Sequence, residues 1–143
     1  AKIIHCYRHP LDNILSIYRA HFATGNRYSS SLTDCAKVYL NQHEIMDEYK
    51  SKYPENIYSL DYDQLVSDSS NQIPRLIKWL NWNWNDSYLS PHLSSRVVKT
   101  ASNVQVRSPI NNKSIGGSQN YLQTLKPAIN IIKSSLRFSY LIE

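Results

Sequence analysis

Arg8 and Ser16 are the residues near the start of the chain whose side chains are best suited to hold a phosphate group. Arg8 follows an apolar run and precedes Pro10, so we expect it at the end of a strand, directly before a helix that carries Ser16. Ligands of open parallel sheets bind at the carboxyl ends of strands, beside helix N-termini. A guanidinium there can hold a phosphate through two parallel hydrogen bonds, and a serine hydroxyl can add a neutral one. On residue type and spacing alone, a surface arginine that ends a strand and a serine tolerated on a helix are the favoured interpretation.

The elements that must position these side chains follow from the hydrophobic pattern. Runs of apolar residues predict strands over residues 2–8 and 56–62, the first of them buried together with Cys6. Apolar residues at helical spacing predict four helices. The first two run from Pro10 to Phe22 and from about Leu32 to Tyr53. The third runs from about Ser70 to Leu80, with Pro74 in its first turn, and the fourth from near Pro127 to Leu136. Residues 23–31 are a polar loop, and residues 81–123 form a long irregular segment of a kind that is often functional. This order of elements predicts an α/β fold.

The bulk composition of the 143 residues is that of a globular domain with a net charge of +5. No apolar run reaches the roughly 18 to 20 residues that a membrane span needs. The positive net charge suits an anionic ligand. The basic residues are scattered and form no run, so we expect no nucleic-acid partner. The two cysteines cannot form a disulfide framework, and this favours a reducing compartment and a cytoplasmic location. The histidines and cysteines lack metal-ligand spacing, so no metal site is expected.

Glycine is scarce, and this limits the kinds of phosphate site that the chain can form. Only Gly25, Gly116 and Gly117 are present. Neither of the common glycine-rich phosphate-binding motifs can be built from them. Gly116 and Gly117 by themselves are compatible with an ordinary turn.

The segment from Lys2 to Tyr18 resembles the 3′-phosphate-binding segment of the sulfotransferases that use 3′-phosphoadenosine 5′-phosphosulfate (PAPS). That family has a hydrophobic strand, then Arg-x-Pro-x-Asp, then a serine on the following helix. Arg8, Pro10, Asp12 and Ser16 match it at all four offsets. The resemblance implies that Arg8 and Ser16 hold the 3′-phosphate of the donor, and that Pro10 and Asp12 are structural residues that open the helix.

The second strand supports the same resemblance. The family has a strand that ends in Tyr-Glu and is followed by a helix that ends in Phe-Leu; here the corresponding residues are Tyr62-Asp63 and Trp79-Leu80. In relatives that tyrosine lies against the adenine, so the resemblance implies this role for Tyr62. A tyrosine that packs in the core is nearly as good an interpretation.

Residues 99–121 resemble a bacterial sulfotransferase pattern of Thr-Ala-Ser, Gln-Val-Arg-x-Pro-Ile and a glycine-containing loop. The resemblance implies that Thr100 and Ser102 approach the adenosine, and that the loop with Ser114, Gly116 and Gly117 closes over the 3′-phosphate. Two departures weaken the expected loop contacts. Ser118 stands where relatives carry tryptophan, and polar residues near Asn111 and Asn112 replace a basic pair, for which Lys113 compensates in part.

The resemblance implies a P-loop NTPase-like parallel sheet flanked by helices, and a sulfonate transfer from PAPS to a hydroxyl or amine without a metal ion. In the family, the phosphosulfate loop and the general base precede the strand that ends at Arg8. We therefore expect residues 1–143 to be one partial domain, the C-terminal, 3′-phosphoadenosine-binding half, with no catalytic residue of its own and no activity alone. The acceptor and the oligomeric state stay open.

Two other functions are compatible with the sequence. A nucleotide or sugar kinase fragment of related architecture would need Mg²⁺ and a basic lid, whereas sulfonate transfer from PAPS does not. A non-catalytic binding domain could keep the fold without the chemistry. A thermal-shift comparison of adenosine 3′,5′-bisphosphate with ATP–Mg²⁺ separates the kinase from a sulfotransferase. A short Ser/Thr/Gly-rich phosphate loop in the upstream sequence would favour the enzyme over the binding domain.

Overall fold

The computed structural model describes residues 1–20, 22, 25–95 and 105–142. Within them lie two strands and five α-helices: β1 (Ile3–Tyr7), α1 (Pro10–Ala20), α2 (Leu32–Lys52), β2 (Ile57–Asp61), α3 (Tyr62–Ser67), α4 (Ser69–Leu80) and α5 (Lys126–Lys133). Short 3-10 turns complete the described part: Arg27–Ser30, Asp86–Leu89, Pro91–Leu93, Gln105–Arg107, Gly117–Tyr121 and Ser139–Ile142. The strands pair in a small parallel sheet. The mixed α/β class predicted from the sequence is confirmed.

The chain divides into two compact units. Unit 1 comprises Ala1–Tyr7 and Tyr58–Lys113, and unit 2 comprises Arg8–Ile57 and Ser114–Glu143. Each unit is therefore made of two separate stretches of the sequence.

Unit 2 is a helical assembly of α1, α2 and α5 around one hydrophobic core. The core side chains recur at helical spacing on each helix: Leu11, Ile14 and Leu15 from α1, Cys35, Ala36 and Tyr39 from α2, Ala128 and Ile132 from α5, and Leu125 just before α5. Arg137 pairs with Asp47 at 3.2 Å and with Glu44 at 3.8 Å, so the chain after α5 is tied to α2. This core fixes the orientation of α1, which carries the candidate site.

Unit 1 contains the β1–β2 sheet and the α3–α4 pair. Leu60 and Ile77 are buried, and the ring of Trp79 lies 5.3 Å from that of Tyr58. Helix α4 ends at Asn81, which takes a left-handed conformation with φ of 60°. Asparagine tolerates this conformation better than most residues, so it closes the helix where glycine usually does.

The first strand is less buried than its sequence predicts. His5 is buried, but Ile3 is 51% exposed and Cys6 is also exposed. The expectation of a buried strand with a buried thiol was wrong for these residues. Within the part of the chain that the structure describes, β1 pairs with β2 alone, so much of its surface faces solvent.

Several element boundaries also differ from the predicted ones. Tyr62 begins α3 instead of ending a strand, because the Asp61 carboxylate caps this helix by accepting N–H groups of Asp63 and Gln64 at 2.8 and 3.2 Å. Helix α1 ends before Phe22. Pro74 lies beyond the first turn of α4, which begins at Ser69.

Helix α5 is shorter than predicted. It ends at Lys133, where the Ser134 hydroxyl donates to the Ile131 carbonyl at 2.8 Å and so competes with the helical hydrogen bonds. Leu136, which the periodicity placed on this helix, lies beyond it and is fully exposed. Among the described residues, no helix has the length and apolar character required to cross a membrane.

Candidate phosphate-binding site

Arg8 lies between the last residue of β1 and the first turn of α1, as the sequence predicted. The Tyr39 hydroxyl of α2 donates to its carbonyl oxygen at 2.7 Å. Its guanidinium Nη2 lies 3.4 Å from a carboxylate oxygen of Asp12 and also donates to the Ser114 carbonyl. The Arg8 side chain is 16% exposed. Its backbone and its side chain are thus held by three different parts of unit 2.

Ser16 lies on the same side of α1 as Asp12. The two residues are one helical turn apart, and the turn before Asp12 is occupied by Arg8, its ion-pair partner. Ser16 is exposed. By helical spacing, Ser16 therefore follows Arg8 and Asp12 along one side of α1. Its role toward a phosphate stays a prediction.

The loop of residues 114–118, here called the glycine loop, is attached to the same face of α1. Gly116 has a left-handed backbone with φ of 71° and donates its N–H to Asp12 Oδ2 at 2.7 Å. The Ser118 N–H donates to Asp12 Oδ1 at 2.8 Å. Ser118 is fully buried, whereas Ser114 is exposed. The glycine loop and Arg8 therefore meet at one carboxylate.

The chain after the glycine loop is also held on α1. Gly117 begins the 3-10 turn Gly117–Tyr121, and the guanidinium of Arg19 lies 5.9 Å from the centre of the Tyr121 ring. Arg19 is one helical turn beyond Ser16. These contacts place Arg8 and the glycine loop along one side of α1, the side on which helical spacing also puts Ser16.

Asp12 is 3% exposed and is ionised at neutral pH. Burial by itself would raise the pKa of its carboxyl. Hydrogen bonds from Ser118 and from the Gly116 N–H, together with the nearby charge of Arg8, outweigh burial and lower the pKa below its ordinary value. The centre of the site is thus an arginine–carboxylate pair whose charges balance.

The remaining predicted residues fall in unit 1 or outside the described residues. Tyr62 is half-buried at the start of α3. Lys113 is exposed, and its N–H donates to the Asn111 side chain at 3.2 Å in a local turn. Thr100 and Ser102 lie in the stretch 96–104, outside the described residues.

The structure adds three residues to the candidate site that sequence reasoning missed or misjudged. Asp12 was expected only to open a helix, yet it joins Arg8 to the glycine loop. Tyr39 lies within the predicted second helix and was given no role in the site, yet its hydroxyl donates to the Arg8 carbonyl. Ser118 was seen as a weakening departure, yet its N–H donates to Asp12. The fixed offset of Asp12 from Arg8 was the one available signal, since contacts across distant sequence leave no local pattern.

The described residues contain no cluster of side chains that could bind a metal ion. In these ranges no group of three or more His, Cys, Asp or Glu side chains is arranged to hold a metal ion. Of the histidines, His43 is half-buried, and its ring lies 4.4 Å from that of Tyr39 and 6.0 Å from that of Phe138.

Comparison with known proteins gives the class to which this fold and site belong. The model of a sulfotransferase family matches residues 1–86, which include β1, α1, Arg8, Ser16 and Tyr62. An uncharacterised protein of Aquifex aeolicus (strain VF5) is 32% identical over 140 residues, which are 96% of this chain. This chain spans 18% of the length of that protein. The chain belongs to the sulfotransferase family.

Proposed function

We propose that the protein transfers a sulfonate group from PAPS to a hydroxyl or amine, and that Arg8 and Ser16 bind the 3′-phosphate of the donor. Membership of the sulfotransferase family supports sulfonate transfer in general. The observation that carries the finer proposal is the attachment of Arg8 and the glycine loop to one side of α1, where Ser16 follows one helical turn after Asp12. Arginine and serine are the donors that such a phosphate would require.

The role proposed for this part of the protein is binding and orientation. In the reaction, the acceptor oxygen or nitrogen bonds to sulfur, the bond from sulfur to the 5′-phosphate oxygen breaks, and the acceptor proton passes to a base. We assign neither the base nor the phosphosulfate contacts to residues 1–143. Contacts with the distant 3′-phosphate would instead contribute binding energy that holds the reacting sulfur in place.

The proposal extends to the rest of the donor and to the fold. By the resemblance alone, the adenosine would be contacted by Tyr62, Thr100 and Ser102. The 3′-phosphate would be bordered by Ser114, Gly116 and Gly117. The parallel pairing of β1 with β2 is compatible with membership of a larger P-loop-type sheet. The acceptor is left open, since no residue described here identifies it.

Calorimetry on the whole protein tests the donor assignment. Adenosine 3′,5′-bisphosphate should bind more tightly than adenosine 5′-phosphate, because only the first has a partner for Arg8 and Ser16. ATP with Mg²⁺ should bind more weakly than the bisphosphate. A preference for ATP–Mg²⁺ would favour a kinase, and equal binding of the two adenosine phosphates would contradict a 3′-phosphate site.

A further inference from the structure

Asp12 is a buried carboxylate that the proposed reaction does not use. Both of its oxygens are engaged: Oδ1 accepts the Ser118 N–H at 2.8 Å, and Oδ2 accepts the Gly116 N–H at 2.7 Å. Oδ2 also lies 3.4 Å from Arg8 Nη2. A cation and two backbone amides converging on one anion is the arrangement by which backbone concavities hold phosphate groups. Here the anion that occupies it is part of the protein.

A helix-opening role does not account for this geometry. An acidic residue in the first turn stabilises a helix through its charge while it remains in solvent. Asp12 is instead 3% exposed, and burial of a carboxylate is unfavourable unless hydrogen bonds and an opposite charge compensate for it. The compensating groups come from Arg8 and the glycine loop. The contact with the loop therefore offsets part of the free-energy cost of burying the Asp12 carboxylate.

The contact also determines where the guanidinium of Arg8 can lie. Arg8 Nη2 reaches both Asp12 and the Ser114 carbonyl, so the carboxylate and the loop hold it from two sides. Without Asp12, the amides of Gly116 and Ser118 would lose their shared acceptor. The glycine loop and the guanidinium would then no longer be fixed relative to each other.

We propose that Asp12 is a positioning residue, which locks the glycine loop and the Arg8 guanidinium into one arrangement and thereby sets the selectivity of the site for a 3′-phosphate. This inference rests on the proposed function, since it concerns the same phosphate. Asp12 itself would not touch the ligand, because its oxygens face the loop amides and Arg8.

The test compares Asp12→Asn with wild type in the whole protein. Asparagine has nearly the same shape, but it lacks the charge and replaces one acceptor oxygen by a donor that faces a backbone N–H. Asp34→Asn is the matched control, because Asp34 is also in the first turn of a helix of unit 2 but is exposed and pairs only with nearby Lys37 among the described contacts. Calorimetry measures the affinity ratio of adenosine 3′,5′-bisphosphate to adenosine 5′-phosphate, and thermal melting identifies folded variants.

Asp12→Asn should lower the affinity ratio by about tenfold or more, because Arg8 and the glycine loop lose the carboxylate that holds them in place, while Asp34→Asn leaves the ratio unchanged. If Asp12 had a merely structural role, Asp12→Asn would lower the melting temperature, but the protein that remains folded would keep the wild-type affinity ratio. That result would overturn the inference. A raised affinity for the bisphosphate would also overturn it, because Asp12 would then be competing with the phosphate for Arg8.

Failure of the proposed function gives a different result. If wild type shows no preference for the bisphosphate, both the 3′-phosphate site and the selectivity role of Asp12 fall. If wild type is selective and Asp12→Asn is equally selective, the proposed function stands and the inference on Asp12 alone is wrong. Amide hydrogen exchange gives an independent readout, since Asp12→Asn should speed exchange at Gly116 and Ser118 by about tenfold or more.

Discussion

The backbone N–H of Ser118 donates to the carboxylate of Asp12 at 2.8 Å, across 106 positions of sequence. Ser118 is fully buried at this contact. The bond comes from the main chain of Ser118, so the attachment does not depend on the type of side chain at this position.

Arg8→Ala should weaken adenosine 3′,5′-bisphosphate by about 100-fold or more, since a bidentate contact of a charged pair is worth about 3 kcal/mol. Adenosine 5′-phosphate should be little affected, because it lacks the group that Arg8 is proposed to bind. Arg8→Lys should restore the charge without the planar fork and so rescue binding only partly. Ser16→Ala should cost about 1 kcal/mol, as a single neutral donor.

Calorimetry with both nucleotides measures these changes. Arg75→Ala is the matched control, because Arg75 is an exposed arginine of α4 in unit 1, and its loss should change neither affinity. Equal losses for the two nucleotides in Arg8→Ala would mean that Arg8 supports the fold or the 5′ side, and the central assignment would fall.

Gly116→Ala should destabilise the protein by about 1 to 2 kcal/mol, because Gly116 has a φ of 71° that side chains disfavour. Gly117→Ala is the matched control, since a Cβ at either glycine meets nothing within 4 Å and only Gly116 has the left-handed backbone. The difference between the two variants therefore isolates backbone strain. Denaturant unfolding measures it, and equal free energies of unfolding for the two variants would contradict the left-handed turn.

Tyr39→Phe should destabilise the protein by about 1 kcal/mol, because it removes the hydroxyl that donates to the Arg8 carbonyl and leaves that oxygen without this partner. Tyr49→Phe on the same helix is the control, since Tyr49 is half exposed. Chemical denaturation should show a loss in Tyr39→Phe alone. A loss of equal size in both variants would mean that the Tyr39 hydroxyl does not stabilise the start of α1.

Stability should fall as the pH is lowered through the range just below roughly 6.5, the ordinary histidine pKa. Burial lowers the pKa of His43, an effect that Asp47 opposes and Lys50 assists. In this range the unfolded chain therefore binds more protons at this position than the folded chain does, so folding loses stability on acidification.

His43→Gln should reduce the slope of stability against pH in this window, because glutamine does not titrate. The measurement is the free energy of unfolding at a series of pH values between about 5 and 8, compared with wild type. An unchanged slope in His43→Gln would assign the titration to other groups.

The sequence by itself determined the elements whose patterns are local. Apolar spacing gave α2 and most of α1, since a helix that must bury one face repeats its apolar residues every three or four positions. The offsets of Arg8, Pro10, Asp12 and Ser16 pointed to a sulfotransferase, and the family match confirmed it. Such signals are readable because each lies within one short stretch of chain.

The tertiary structure decided how distant stretches share one site. Nothing in the sequence indicates that the partners of the Asp12 carboxylate are Gly116 and Ser118. A hydrogen bond between distant parts of the chain produces no periodic pattern of residues. Burial of β1 and the end of α5 failed as predictions for a related reason. Exposure depends on which elements pack alongside, and helix ends depend on local competition such as that of the Ser134 hydroxyl. The local sequence pattern identified Arg8 as a candidate residue. Only the fold showed that the buried carboxylate of Asp12 holds Arg8 against the glycine loop.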